Sequence, residues 1–194
     1  PTDVGTYAVA ANITTAGYTG STSGTLTVTK GSQTILFGAL PPVSFGDQSF
    51  EAGATASSGL PITYTSSNPL VATVDASGMI QILSAGTTTV TASQAGDTNY
   101  QAATSVSQTL TVDKDTASVV LGNLSQTYDG TFRTVSVTTV PTGLSTTITY
   151  NGSSSAPTNA GSYTVVATVN DANYVGSATD TLTVAKATAT VTIT

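Results

Sequence analysis

The chain of 194 residues has no cysteine and no histidine, and only 7% of its residues are charged. Without cysteine there are no disulfides, no thiol nucleophile and no thiolate zinc site. Without histidine the commonest general base and metal ligand is missing. Four basic residues stand against ten acidic ones, a net charge of −6. That balance argues against nucleic acid or an anionic membrane surface as a partner. No apolar run approaches the roughly 20 residues that a membrane-spanning helix needs, so no membrane insertion is expected in this segment. The chain opens on Pro1 with no leader, which is expected of a piece cut from a longer protein.

Hydroxyl side chains take the place of the missing charges. Thr and Ser together make up 65 of the 194 residues. The surface is thus hydrated through O–H groups, and β-branched Thr suits a pleated strand. The hydrophobic period is two. Tyr163, Val165, Ala167 and Val169 fall on one face of 162–170, and Leu182 and Val184 alternate with Thr181 and Thr183. Thr87–Ala92 alternates in the same way around Val90. Asp129–Gly130 and Asn151–Gly152 are turn dipeptides that accept positive φ. No window carries a helical stripe.

The chain also repeats itself. Residues 1–30 align without a gap on 157–186, an offset of 156, and match at fifteen of thirty positions. PTDVGTY answers PTNAGSY, and GTLTVTK answers DTLTVAK. Lys30, Lys114 and Lys186 each close an alternating strand, and the openings after Lys114 and Lys186 correspond at an offset of 72. Self-similarity of this kind marks an array of modules. The reading is half a module at 1–30, an unlike module at 31–114, a complete module at 115–186, and the first strand of another at 187–194. Modules of this size and composition predict an all-β chain of tandem antiparallel sandwiches. With no staple in evidence, burial of Tyr, Val, Ile and Leu faces must hold each together, helped by contacts at the lysine junctions.

Two resemblances follow from particular stretches. ITYTSSNPLVATVDASGMIQILSAGTTTVTAS, residues 62–93, is similar to the bacterial Ig-like repeat of group 2, with Tyr64 where that family usually has Trp. The resemblance spans most of 35–112 and implies an Ig-like sandwich. TYDGTFRTV at 127–135, GLSTTITYNGSSSAPTNAGSYTVVATVNDANYVGSA at 143–178 and the closing TLTVAKATATVTI resemble the MBG repeats of bacterial surface proteins. That resemblance covers 115–194 and, in half-form, 1–30. It implies a large, repetitive, exported or cell-surface protein, and neither family brings catalytic residues to transfer.

Four chemistries compete with plain structural roles for these residues. Asp113 and Asp115 flank Lys114, and Asp97 lies in GDTNY. These three are the candidate ligands of a calcium-clamped junction, although Ca²⁺ takes six to eight oxygens and the junctions at Lys30 and Lys186 lack flanking aspartates. An intramolecular isopeptide would need a buried lysine beside an acid, but the lysines sit at module boundaries and Glu51 is the only Glu. No motif singles out a Thr–Gln ester. Thr-X-Thr runs such as Thr188–Thr190–Thr192 invite an ice-binding array, yet alternating Thr is also what an exposed strand face prefers. No acidic pair stands at the spacing of a glycosidase. The repeated Tyr7, Tyr18, Tyr163 and Tyr174 read as core plugs or turn anchors before sugar-stacking platforms.

The expected function is therefore a non-catalytic stalk or spacer of a bacterial cell-surface adhesin or extracellular fibre. No enzyme activity and no cofactor are expected, with calcium the one ion considered. The partners would be neighbouring repeats and, in a fibre, other copies of the chain. The alternatives are a glycan- or protein-binding module, or a filament subunit in which strand addition between chains completes the broken module.

Overall fold

The computed structural model describes residues 1–192. Among them there is no helix, and every regular element is a strand. By its internal contacts the chain divides into two compact units. The first comprises Pro1–Pro41, Gln48–Ile82 and Thr87–Leu110; the second comprises Pro42–Asp47, Leu83–Gly86 and everything from Thr111 onward.

The first unit opens with a hairpin of β1 (Gly5–Asn12) and β2 (Ser21–Val28), paired antiparallel from Gly5↔Val28 to Asn12↔Ser21. Its further strands begin with β3 (Ile35–Leu36), while β4 (Val43–Ser44) falls in the second unit. Then come β5 (Phe50–Glu51), β6 (Thr55–Ala56), β7 (Thr63–Ser66), β8 (Ala72–Val74) and β9 (Met79–Ile82). Strands β10 (Gly86–Ser93) and β11 (Val106–Asp113) complete it. β9 pairs with both β5 and β8, β3 with β6, and β10 with β7, all antiparallel. Alternation along β10 sends Thr88, Val90 and Ala92 inward, where Phe37, Ala72, Ile80 and Leu110 are also buried. Tyr64 stands edge-on to Phe37, ring centroids 6.2 Å apart. Its hydroxyl donates to the Ala54 carbonyl (3.3 Å) and accepts from the Ala54 amide (3.1 Å). The aromatic body fills the core and the polar tip ties down a loop.

In the second unit the end of β11 pairs parallel with β4, Val112↔Val43. Next come β12 (Asp115–Thr116), β13 (Ser118–Gly122), β14 (Ser125–Thr127) and β15 (Ser136–Val140). They are followed by β16 (Thr146–Tyr150), β17 (Gly161–Val169), β18 (Tyr174–Val175) and β19 (Ser177–Ala185). A four-stranded sheet runs in the order β14-β19-β17-β16, and β13 pairs with β15 as a second layer. Between the layers lie Val135, Tyr150, Val165, Leu182 and Val184, with Leu121 and Val137 of the second layer packed against them. This is the predicted antiparallel sandwich, with the parallel pair β14–β19 at an edge of the four-stranded sheet. At Asn151–Gly152 both residues have positive φ, 50° and 85°. Tyr150 and Ser153 exchange backbone hydrogen bonds across that turn (2.7 and 2.9 Å), as a two-residue hairpin loop requires.

Residues 187–192 form no strand; Ile193 and Thr194, which the strand reading included, lie outside the described residues. The hairpins β1–β2 and β17–β19 keep one register at the 156-residue offset, since Tyr7↔Leu26 answers Tyr163↔Leu182.

Candidate functional site

A tight anchor recurs within each hairpin. Tyr163 donates its hydroxyl to the Asn159 carbonyl (2.9 Å), and Tyr7 donates to the Asp3 carbonyl (2.8 Å). In both, the ring lies across a glycine: a Cβ on Gly161 would come within 3.2 Å of the Tyr163 hydroxyl, and one on Gly5 within 3.4 Å of the Tyr7 hydroxyl. Tyrosine thus closes the turn that starts the strand, in the manner of a tyrosine corner. Tyr174 stacks edge-on against Phe45, centroids 5.5 Å apart. Three of the four repeated tyrosines are therefore anchors, and Tyr18 alone is open, at 71% exposure.

The lysines that end the repeats converge on a second recurring feature. In the first unit, Lys30 Nζ donates to the Asp97 carbonyl at 2.6 Å. In the second, Lys114 Nζ donates to the Asp171 carbonyl at 2.6 Å. Each acceptor opens a turn, Asp97-Thr-Asn-Tyr100 or Asp171-Ala-Asn-Tyr174. The Asp side chain folds that turn. Asp97 Oδ1 accepts the amides of Asn99 (2.8 Å) and Tyr100 (2.7 Å), and Asp171 Oδ1 those of Asn173 (2.8 Å) and Tyr174 (3.1 Å). Asp is well suited here because its short carboxylate caps amides two and three residues on.

The turn in turn receives the chain just past the lysine. Gly31 N–H donates to the Asn99 carbonyl (2.8 Å), and Asp115 N–H to the Asn173 carbonyl (2.9 Å). A parallel ladder follows, as a bridge Gly31↔Tyr100 in one case and as β12–β18 in the other. Finally, the Asn side chain accepts an amide ahead of a glycine that starts a strand. Val4 N–H reaches Asn99 Oδ1 (3.2 Å), and Ala85 N–H reaches Asn173 Oδ1 (2.9 Å).

The three aspartates expected at a calcium junction do not share one set of contacts. Asp97 spends Oδ1 on its own turn. Asp115 Oδ1 accepts the Thr116 amide at 2.7 Å, and the Asp113 carbonyl accepts the Phe45 amide at 2.9 Å. Among the described residues no three His, Cys, Asp or Glu side chains gather into a metal-holding group. Two other acids are set by their loops. The Ser77 hydroxyl, helped by the Met79 amide, holds the Asp75 carboxyl below the usual carboxylate range. The Thr131 hydroxyl and amide do the same for Asp129, with Arg133 adding its charge. Both are surface turns. The residues that sequence reasoning missed are Asn99, Asp171 and Asn173. GDTNY against NDANY was a visible signal, but the turns lie 67 and 57 residues from the lysines they meet.

The hairpin β1–β2 supplies the other unusual surface. Val165 and Leu182 have no exposed surface, whereas their counterparts Val9 and Leu26 are 47% and 41% exposed. Ile13, the counterpart of Val169, is 53% exposed. Two shallow depressions of about 330 Å³ lie along this hairpin, lined by Val9–Ile13 and Gly20–Gly24 without an acidic residue. No helix among the described residues is long and apolar enough to cross a membrane.

Two family models match the chain. The family described as MBG domain matches residues 1–32 and 117–188, and the intimin immunoglobulin-like domain matches 47–96. The middle match is thus to the intimin type of bacterial immunoglobulin-like domain, and both domains are typical of bacterial surface proteins. Both are structural or adhesion domains and not catalytic ones. No curated protein matches the chain in sequence. Among solved structures, mouse protocadherin-24 EC1-3 aligns over 94% of this chain and 80% of its own, at 13% identity and a TM-score of 0.35. Sidekick-1 immunoglobulin domains 1-4 aligns over 96% and 59%, at 10% identity and a TM-score of 0.37. The surface layer protein SbsC, domains 1-6, aligns over 96% and 36%, at 12% identity and a TM-score of 0.28.

Proposed function

Because the chain belongs to the MBG domain family, with an intimin-type immunoglobulin-like domain between its two MBG segments, we propose that it is a spacer segment. It serves in the stalk of a large, repetitive bacterial cell-surface adhesin or extracellular fibre, and its work is mechanical: in-series β modules hold a binding tip away from the cell. The observation that carries this reading is the repeated junction. Two consecutive module boundaries place the same lysine, the same Asp-X-Asn-Tyr turn and the same backbone ladder together. A chain selected for a pocket has no need to duplicate its joints, whereas a chain selected to transmit length does. Small-angle X-ray scattering tests the proposal: a rod-like distance distribution is expected, and a compact globule overturns it.

A second reading has an observation of its own. Hairpin β1–β2 exposes Val9, Ile13 and Leu26, whose counterparts are buried, and both its edges are open. In the third module those edges take a parallel strand, β14, and an antiparallel one, β16. Strand addition from another copy of the chain would cover the hairpin in the same way and build a filament. Sedimentation at rising concentration tests it; a chain that stays monomeric at the highest concentration rules it out.

A further inference from the structure

We propose that the strand-closing lysine and the Asp-X-Asn-Tyr turn form a specific lysine-keyed joint between modules, and that the surface around Lys186 and Ala160 is a third copy, whose partner is an Asp-X-Asn-Tyr turn of an adjoining repeat. The inference deepens the spacer reading and rests on it only in placing the joint within a tandem array.

The two occupied joints correspond contact by contact. In both occupied joints a lysine ammonium donates to the carbonyl of the turn's Asp, the residue after the lysine donates its amide to the carbonyl of the turn's Asn, and the Asn side chain accepts one more amide. That last donor, Val4 or Ala85, immediately precedes a glycine that begins a strand leading to the junction, Gly5 or Gly86. Ala160 precedes Gly161, which begins β17, and Lys186 follows β19. The pairs Val4/Lys30, Ala85/Lys114 and Ala160/Lys186 are therefore equivalent, with separations of 26, 29 and 26 residues.

The chemistry defines what fits. The ammonium takes the main-chain carbonyl of the turn's Asp, and the backbone amides ask for an Asn that presents its main-chain and side-chain oxygens together. Asp at the first turn position folds the loop so that those oxygens point outward. The half-module's own counterpart of the turn, Thr15-Ala16-Gly17-Tyr18, lacks both Asp and Asn. It is a poor acceptor, so the joint discriminates among repeats.

The test is residue-resolved amide hydrogen exchange. In the full chain, Asp115 and Ala117 donate to the carbonyls of Asn173 and Val175 and report on the second joint. D171A is expected to accelerate their exchange about tenfold or more, and K114M a few-fold, because the lysine is exposed while the turn is built by the aspartate. Amides of the β17–β19 ladder serve as the internal control and should not change. Unchanged exchange at Asp115 and Ala117 in D171A, or slowing of the parent's exchange on adding Ca²⁺, overturns the lysine-keyed joint. For the third copy, the chain is lengthened directly after Lys186 by a second copy of residues 115–192. Protection of the Ala160 amide is expected, and its loss when that copy's Asn, the counterpart of Asn173, becomes Ala, because the Asn side chain is the acceptor of the equivalent amides of Val4 and Ala85. No protection there overturns the assignment of Lys186. A compact scattering profile with these exchange results intact would refute the spacer role alone, and the reverse pattern would refute the joint alone.

Discussion

Leucine at one repeat position offers a controlled experiment inside a single chain. Leu182 and Leu26 are equivalent at the 156-residue offset and pair with equivalent tyrosines, yet Leu182 has no exposed surface and Leu26 is 41% exposed. Truncating Leu182 removes its transfer free energy and leaves a cavity among Val165, Val184, Leu121 and Val137. Buried Leu→Ala changes cost about 2–5 kcal/mol. A module of about 72 residues is stable by only about 4–11 kcal/mol at the usual per-residue values. L182A should therefore remove about a fifth or more of the third module's stability. L26A opens no closed cavity and gives up only the buried part of a side chain whose full burial contributes about 1.5–3 kcal/mol. Its cost should stay below about 1.5 kcal/mol. Global unfolding would blur the two, because several modules need not melt as one. Native-state hydrogen exchange in dilute urea reads each hairpin by its own amides. If both variants weaken their hairpins equally, the premise that the repeat's missing layer decides the energetics is wrong.

Three further expectations follow from the same contacts. G78A should cost about 1–3 kcal/mol, because φ is +89° and a Cβ would meet the Tyr64 ring at 2.9 Å; G53A, at φ +73° with nothing within 4 Å, should cost about 1 kcal/mol, and equal urea midpoints for the two would refute the packing share. Asp75 and Asp129 have lowered carboxyl pKa values, so their contribution is present above the unfolded-state value near 4 and is lost as pH falls through the folded value. The urea midpoint should accordingly hold between pH 7 and 5 and drop below about pH 4, with a shallower drop in D75N/D129N; an equally steep drop in the double variant would show that the two loops do not matter. Placing a copy of residues 115–156 directly ahead of Pro1 should complete the half-module, slowing exchange of the Val9 and Leu26 amides at least about tenfold, and no slowing would mean that the two hairpins are not interchangeable.

Much of this molecule is legible along the chain because its information is local and periodic. Alternation at period two assigns Val165, Ala167, Leu182 and Val184 to a buried face, since successive side chains on a strand must point oppositely. The Asn151–Gly152 turn is readable because few residues accept positive φ. Internal similarity at 156 and 72 residues sets the module pattern, and the register of β1–β2 follows from that of β17–β19. What lies beyond this reading is long-range. Nothing local says that Lys30 meets Asp97 and Lys114 meets Asp171, across 67 and 57 residues; loop closure over such spans leaves no periodic trace. Asp113 and Asp115 look like a ligand pair in sequence because they are two residues apart, but they belong to different strands, β11 and β12, and Asp115 Oδ1 is taken by the Thr116 amide. The tertiary structure alone decided which hairpin is covered. Val9 and Val165 have the same residue type, strand and register, and differ only in whether a second layer packs over them, because burial belongs to what surrounds a side chain and not to the side chain itself.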